Sequence, residues 1–276
     1  MTARYPALPG FRLALGLTLL WLGLLVLLPL AGLMLKAASL SPAQILALLA
    51  TPRSLAAFRV SFGTAALAAL IDLPLGLLLA WTLTRYRFPA RRLLDALIDL
   101  PFALPTAVAG IALTTLYVED GWLGALLAPL GLFPAFSPSG IVIALTFVGL
   151  PFIVRSVQPV LADLHREAEE AALTLGASHF AIVHRIIMPP VLPALLTALA
   201  LAFARAVGEY GSVIFIAGNR PAISEIVPLL IVIKLEQFDY PGAALLGTAM
   251  LAASLLLLLA INRLQRWTAA ERAYAI

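Results

Sequence analysis

Long apolar runs, each near the roughly 20 residues that a helix needs to cross a bilayer, recur six times, at about 12–35, 59–84, 96–117, 140–159, 191–215 and 241–262. Backbone groups in lipid must pair within their own segment, so the pattern predicts an all-α membrane protein with six transmembrane helices. The first run is longer than the roughly 7–15-residue core of a signal peptide and ends without an Ala-x-Ala-like site, which predicts a retained helix that also directs insertion. Ile223 to Glu236 is too short to cross; with Pro228 near its middle, it reads as a re-entrant or interfacial helix after the turn signal Gly218-Asn219-Arg220-Pro221. Pro74, Pro101, Pro105 and Pro151 mark places inside spans where backbone is bent or unwound. Around 118–139, Glu119-Asp120-Gly121-Trp122 with Pro129, Pro134 and Pro138 suits a membrane-surface turn, or a contact with an outside partner.

Between the fourth and fifth runs lies a polar island, about 160–190. Leu161, Leu164, Ala168, Ala172 and Leu175 recur at helical spacing and predict one apolar stripe, with Glu167, Glu169 and Glu170 on the other faces. Gly176 ends that helix by supplying a left-handed backbone, and Ser178 is placed to cap the next one. The product is a helix, a tight turn and a second helix. Its alanine-rich side lets another protein's groove approach the backbone closely.

Composition agrees: 62% of the 276 residues are hydrophobic and 12% charged, which places the chain among polytopic membrane proteins, read as one domain over 1–276. The absence of cysteine excludes disulfides, zinc thiolates and thiol catalysis. Charge placement sets orientation. Arg4, Arg12, Arg85, Arg87, Arg91, Arg92, Arg166, Arg185, Arg263, Arg266 and Arg272 fall on one side of the six runs, against Lys36, Arg53, Arg220 and Lys234 on the other. The richer side is cytoplasmic, so both termini and the 160–190 loop are expected there. The basic loop Arg85-Tyr86-Arg87-Phe88-Pro89-Ala90-Arg91-Arg92 reads first as a topology signal.

Ionisable residues at membrane depth are Arg59, Asp72, Arg155, Arg205 and Glu209, each costly enough to need a partner or a wet cavity. Arg205 and Glu209 are four apart, the spacing of an intrahelical ion pair on the fifth span; a place on a pathway, with Tyr210 and Ser212 beside them, is the other reading. Arg155, near the end of its span, is expected to snorkel. Neither lysine lies in a Gly-x-x-x-x-Gly-Lys-Ser/Thr loop, so this chain has no phosphate cradle of that type. His165, His179 and His184 all fall in the polar loop and read as exposed side chains before a metal site. No catalytic constellation is present, and no enzymatic role is expected of this subunit.

Glu170-Ala171-Ala172, then Gly176, Ile186 and Pro189 at fixed spacing, resembles the cytoplasmic coupling loop of type I ABC importer permeases, with Met188 where the family usually has leucine. Leu104 to Leu113, Gly121-Trp122-Leu123-Gly124, Phe203 to Val213 and Leu235 to Tyr240 extend the likeness over most of the chain, toward the T-type (or U-type) permeases of bacterial sulfate and thiosulfate importers. Molybdate and tungstate importer permeases are the nearest rivals; they resemble Gly-Glu-Phe-Gly-Ala-Thr where this chain has Gly208-Glu209-Tyr210-Gly211-Ser212-Val213. A self-contained secondary anion transporter is an alternative of another class, and the coupling loop argues against it. The resemblance implies that Glu169, Glu170, Ala171, Ala172, Gly176, Ile186 and Pro189 transmit movement from an ATPase. It also implies a heterodimer with a second related permease, two copies of a cytoplasmic ATPase that carry the ATP and magnesium, and a periplasmic or extracellular sulfate-binding protein. Membrane lipid surrounds the chain, nucleic acid has no place in it, and no cofactor is expected on this subunit.

Overall fold

Helix starts are written into the chain as Ser/Thr followed by proline. Ser41 Oγ accepts from the Gln44 amide at 3.3 Å while Gln44 Oε1 accepts from the Ser41 amide at 2.8 Å, a reciprocal cap that satisfies two orphan donors. Thr51 caps the next helix through the Ser54 amide at 3.2 Å. The computed structural model describes residues 10–273, with side chains through Ile261 and at Arg263. Of the predicted charge pattern, Arg4 and the side chains of Arg266 and Arg272, with the rest of the basic tail, lie outside what is described.

The regular elements among the described residues are all helices, in the order α1 (Phe11–Ala37), α2 (Pro42–Leu49), α3 (Pro52–Arg85), α4 (Arg91–Ile98), α5 (Leu100–Ala103), α6 (Thr106–Tyr117) and α7 (Trp122–Leu127). There follow α8 (Pro138–Asp163), α9 (Arg166–Thr174), α10 (His179–Val207), α11 (Val213–Ile216), α12 (Val227–Glu236) and α13 (Tyr240–Ala273). Six stretches among them are long and apolar enough to cross a membrane: α1, α3, Thr106–Leu130, α8, α10 and Tyr240–Ile261.

The core is the packing of α3, α8 and α10. On α3 the contact face is built from small residues, with Ala57, Ala65, Ala68, Ala69 and Ala80 all essentially inaccessible. Small side chains bring helix backbones close, which is how helices associate where lipid offers no hydrophobic drive. Gly76 sits against Ile153 of α8, and a Cβ added there would come within 2.5 Å of the Ile153 Cγ2. By contrast, the first half of α1 buries nothing; its second half reaches α13 through Leu33 and Ala37 against Ala244 and Leu245.

Several expectations need correction. The third span does not begin at 96: Arg91–Ile98 is a separate amphipathic helix, and the crossing stretch starts at Thr106. Pro105 is the reason, since it holds Leu104 extended (φ −81°, ψ 136°) and ends α5. The fifth helix starts earlier, at His179, and stops at Val207, eight residues short of the expected end at 215. Pro74 and Pro151 bend no backbone into loops; both lie inside unbroken helices. Pro228 occupies the first turn of α12 and not its middle, where a missing N–H costs nothing, and that helix, too short to cross, is packed on α13 and α3.

Far from the 160–190 loop, two contacts fix the chain around α12. Arg53 grips Glu225 with both arms, Nε to Oε2 at 2.8 Å and Nη2 to Oε1 at 2.6 Å, and Ser61 Oγ accepts from the Val227 amide at 2.8 Å. Asp239 starts α13, accepting from Lys234 Nζ at 2.9 Å and from the Gly242 amide at 3.0 Å. The Lys234 ammonium, helped by the Gly242 amide, holds this carboxyl below the usual carboxylate range.

Two outcomes check these packing statements. Gly76→Val places a branched side chain against Ile153 and is expected to lower stability by about 1–3 kcal/mol, read by thermal unfolding in detergent, with Ile153→Ala in the same chain restoring part of the loss. Because the folded pKa of Asp239 is depressed, its stabilisation is complete above its unfolded pKa and fades as pH falls through the folded value. Asp239→Asn should therefore flatten the acid limb of the stability profile below about pH 4, measured by hydrogen exchange at the start of α13; an unchanged limb would show that the corner contributes nothing.

Candidate functional site: a helix pair and an unwound segment

The helix pair 166–187 begins where α8 ends, with Leu164 extended and His165 leading into α9. Glu167 and Glu169 occupy the first turn of α9, where the helix dipole favours negative charge. At the other end, Gly176 takes φ +81°; its amide donates to Leu173 O, and the Ala177 amide to Ala172 O, both at 3.0 Å. That is the paired closure of a Schellman stop. An added Cβ at Gly176 would meet nothing within 4 Å, so handedness, not space, demands glycine. Ser178 Oγ then accepts from the Ala181 amide at 3.3 Å, capping α10 as the spacing predicts. Buried Ile182 and Ile187 anchor the start of α10, and Val183–Ile187 winds as a π turn.

The single apolar stripe does not survive. Leu161 belongs to α8 and is buried, Ala168 is exposed, and Leu175 is 87% exposed, because the break at Leu164–His165 resets the helical phase. What the pair presents outward is apolar: Leu173, Leu175, Phe180 and Val183 are all exposed. Glu170, Ala171, Gly176 and Pro189 lie on the exposed side, while Ala172, Ile186 and Met188 pack partly on the core. Glu169 turns inward. Its Oε1 accepts from Arg85 Nη2 at 2.6 Å, and the Arg85 guanidinium lies 5.3 Å over the Trp81 ring, a cation–π contact. Arg85 thus does more than set topology.

The second region is the unwound stretch 208–212 between α10 and α11. Glu209 is buried and stands beyond the helix end, so its pair with Arg205 bridges helix and loop: Nη1 to Oε2 is 2.6 Å. Its other oxygen accepts from the Ser212 amide and the Ser212 hydroxyl, each at 2.9 Å. Both lone-pair faces are therefore occupied. Gly110 of α6 lies against the Ser212 backbone and Gly211 against Thr106, leaving no room for a side chain at either glycine. Tyr210 is half-buried beside them. Arg155 belongs elsewhere and does not snorkel: it binds Asp99 through Nε at 2.8 Å, and through Nη1 it binds Asp95 at 2.8 Å and Gln158 at 2.7 Å, tying α4 to α8.

Sequence spacing missed Glu225, Asp95 and Asp99, whose partners are 172, 60 and 56 residues away. Asp72 is buried with both carboxyl oxygens unpartnered, and Gly149 is what leaves space for them. Arg59 is exposed and forms no ion pair among the described residues. No group of three or more His, Asp or Glu is placed to hold a metal among the described residues.

The described residues thus form a helical bundle with six candidate membrane spans and a capped helix pair between two of them. Residues 72–272 match the model of the binding-protein-dependent transport system inner membrane component, and the chain belongs to that family. It is 49% identical over 250 residues to the sulfate transport system permease protein CysT of Synechocystis sp. (strain ATCC 27184 / PCC 6803 / Kazusa), covering 91% of this chain and 87% of that one. To CysT of Escherichia coli (strain K12) it is 48% identical over 258 residues, 94% of this chain and 93% of the relative. Among solved structures, a bacterial ABC transporter involved in the import of the acidic polysaccharide alginate superposes with a TM-score of 0.77 at 16% identity, over 93% of this chain and 96% of that chain. The MetNI methionine ABC transporter gives 0.58 at 18%, over 82% and 98%. At these identities the two structures speak for the fold alone.

Removing one member of the Arg205–Glu209 pair strands a buried charge. Arg205→Ala is expected to destabilise the chain by somewhat less than the roughly 3–5 kcal/mol of a fully buried pair, because Arg205 is 35% exposed. Arg205→Ala with Glu209→Gln should recover part of it, since the neutral amide oxygen still accepts from Ser212; detergent thermal melts that show no recovery would refute a structural role for the pair.

Proposed function

We propose that this chain is one permease subunit of an ATP-driven importer of sulfate and thiosulfate. The observation that carries the reading is near-50% identity, sustained over nine-tenths of the chain, to permeases named for sulfate transport. In this reading the basic end, with Arg85, Arg91, Arg92, Arg166 and both termini, faces the cytoplasm. A second related permease completes the pathway, two copies of an ATPase dock on the helix pairs and hydrolyse ATP with magnesium, and an external binding protein delivers the anion. This chain itself binds no nucleotide.

The helix pair has the form that docking requires. Leu173, Leu175, Phe180 and Val183 give an exposed apolar surface, Glu170 and Ala171 lie beside it, and the Gly176 stop fixes the angle between the two limbs. Ile186 and Pro189 carry that angle into α10. The pathway must also tolerate a dianion, and the membrane interior fits: Asp72 is buried away from any surface, and Glu209 is neutralised by Arg205 and Ser212. Arg205, Tyr210 and Ser212 hold the unwound segment in shape, and Arg155 braces the cytoplasmic elbow.

Cells lacking only this subunit should lose uptake of labelled sulfate and thiosulfate and keep molybdate uptake; the reverse pattern overturns the assignment. Gly176→Val, strained by about 1 kcal/mol or more at its left-handed position, should insert normally yet break the link between ATP hydrolysis and uptake. Full uptake by that variant would remove the helix pair from the mechanism.

A further inference from the structure

Where α3, α4, α8 and α9 meet, the chain forms a half-open pocket of about 230 Å³ whose polar lining is Arg85, Arg91, Arg166, Thr84 and Gln158, the rest of its wall being apolar. Among the described residues no carboxylate lines it. Arg85 is the buried member, its side chain only 10% exposed. One arm of its guanidinium holds Glu169, and its Nε is buried with no hydrogen-bond partner. Arg91 and Arg166 are exposed and form no ion pair among the described residues. Gln158 gives its amide oxygen to Arg155, which leaves its NH2 as a donor, whereas the Thr84 hydroxyl is already spent on Ala80 O at 2.7 Å. Three cations, one of them compensated by Glu169, and an amide donor therefore converge on a recess with no anion of its own.

From this arrangement we infer that the pocket is a binding site for a divalent tetrahedral oxyanion, of the sulfate or phosphate class, at the basic end of the bundle. Guanidinium groups present paired N–H donors that match such oxygens, and a recessed Arg85 is better reached by a small anion or a phosphate headgroup than by a side chain of a docked protein. Either a free inorganic anion or the headgroup of an anionic lipid supplies that chemistry. The site stands whether or not the sulfate assignment does. It would also be linked to the helix pair, because Arg85 both lines the pocket and holds Glu169 through its Nη2.

Trp81, under Arg85, is a built-in reporter. With the other three tryptophans, Trp21, Trp122 and Trp267, replaced by phenylalanine, the full chain is placed in phosphatidylcholine nanodiscs and titrated at constant ionic strength with sodium sulfate or inorganic phosphate against chloride. The expected result is a saturable change in Trp81 emission with either divalent anion and none with chloride, weakened at least tenfold in Arg91→Gln/Arg166→Gln. A response that appears only when phosphatidylglycerol is added, and is lost in the same double variant, supports the site with lipid as its source. Silence under both conditions, or a response unchanged in the double variant, overturns the proposal. So does loss of the sulfate response when the partner ATPase is assembled on the wild-type chain, since the pocket would then be a docking contact. Circular dichroism and size exclusion of the double variant exclude misfolding as the cause of a lost signal, and wild-type sulfate uptake is scored separately, so the site and the transport assignment fail independently.

Discussion

Everything in this bundle hangs on the close approach of α3 to α8. Lipid tails are as apolar as leucine, so large side chains gain little by meeting across the seam; contact distance and dispersion decide the matter. The chain answers with alanine at 57, 65, 68, 69 and 80 and glycine at 76 on α3, against Ile141, Gly149, Ile153, Val154 and Val157 on α8. At Gly149 the Asp72 carboxyl occupies the space a side chain would take, with the Ala202 Cβ beyond it. A carboxyl there, without a hydrogen-bond donor, is a cost that the surrounding packing has to offset.

Once the seam is fixed, its two ends are closed by charge. Arg53 and Glu225 close one end, Arg85 and Glu169 with the Arg155 cluster the other. These are different devices. Glu225 is 1% exposed on its side chain and is gripped by two nearly parallel N–H donors, geometry that fixes orientation as well as distance. Asp95 and Asp99 are about 40% exposed or more, where solvent screens each single contact; their value lies in number, since one guanidinium holds two carboxylates and Gln158 together.

The six spans, the Gly176 stop and the Ser178 cap could be read from the sequence because each is a local pattern: period, length or a residue two places away. The break at Leu164–His165 could not, since leucine and histidine are unremarkable in a helix and only tertiary packing separates α8 from α9. The end of α10 at Val207 was hidden similarly, because Arg205 and Glu209 keep the four-residue spacing of an intact turn while Glu209 is in fact held by Ser212 outside it. Proline misled in the opposite direction: exposed Pro74 and buried Pro151 both sit inside continuous helices, and the chain instead unwinds at Gly208 and Gly211. Arg85 read as topology and Arg155 as snorkelling because the partners that define them are remote in sequence.

The two halves of the functional region are mechanically one piece. The second limb of the helix pair is the start of α10, and α10 continues for 29 residues, about 43 Å at 1.5 Å per residue, to the segment where Glu209 is tied to Arg205 and Ser212. A push on the turn at Gly176 can travel along two routes. One is α9, joined to α8 through an extended Leu164 and to α3 by a single ion pair, worth about 1.5–3 kcal/mol at most as a charge-assisted hydrogen bond. The other is the covalent rod of α10, rooted by Ile182 and Ile187. The first limb is thus held to α3 by the Arg85–Glu169 contact alone among its ion pairs, whereas the second limb is held by the buried side chains of Ile182 and Ile187. The π turn at Val183–Ile187, followed by Pro189, Pro190 and the interior Pro193, makes the first half of that rod its irregular part, and the helix beyond it runs unbroken to Val207.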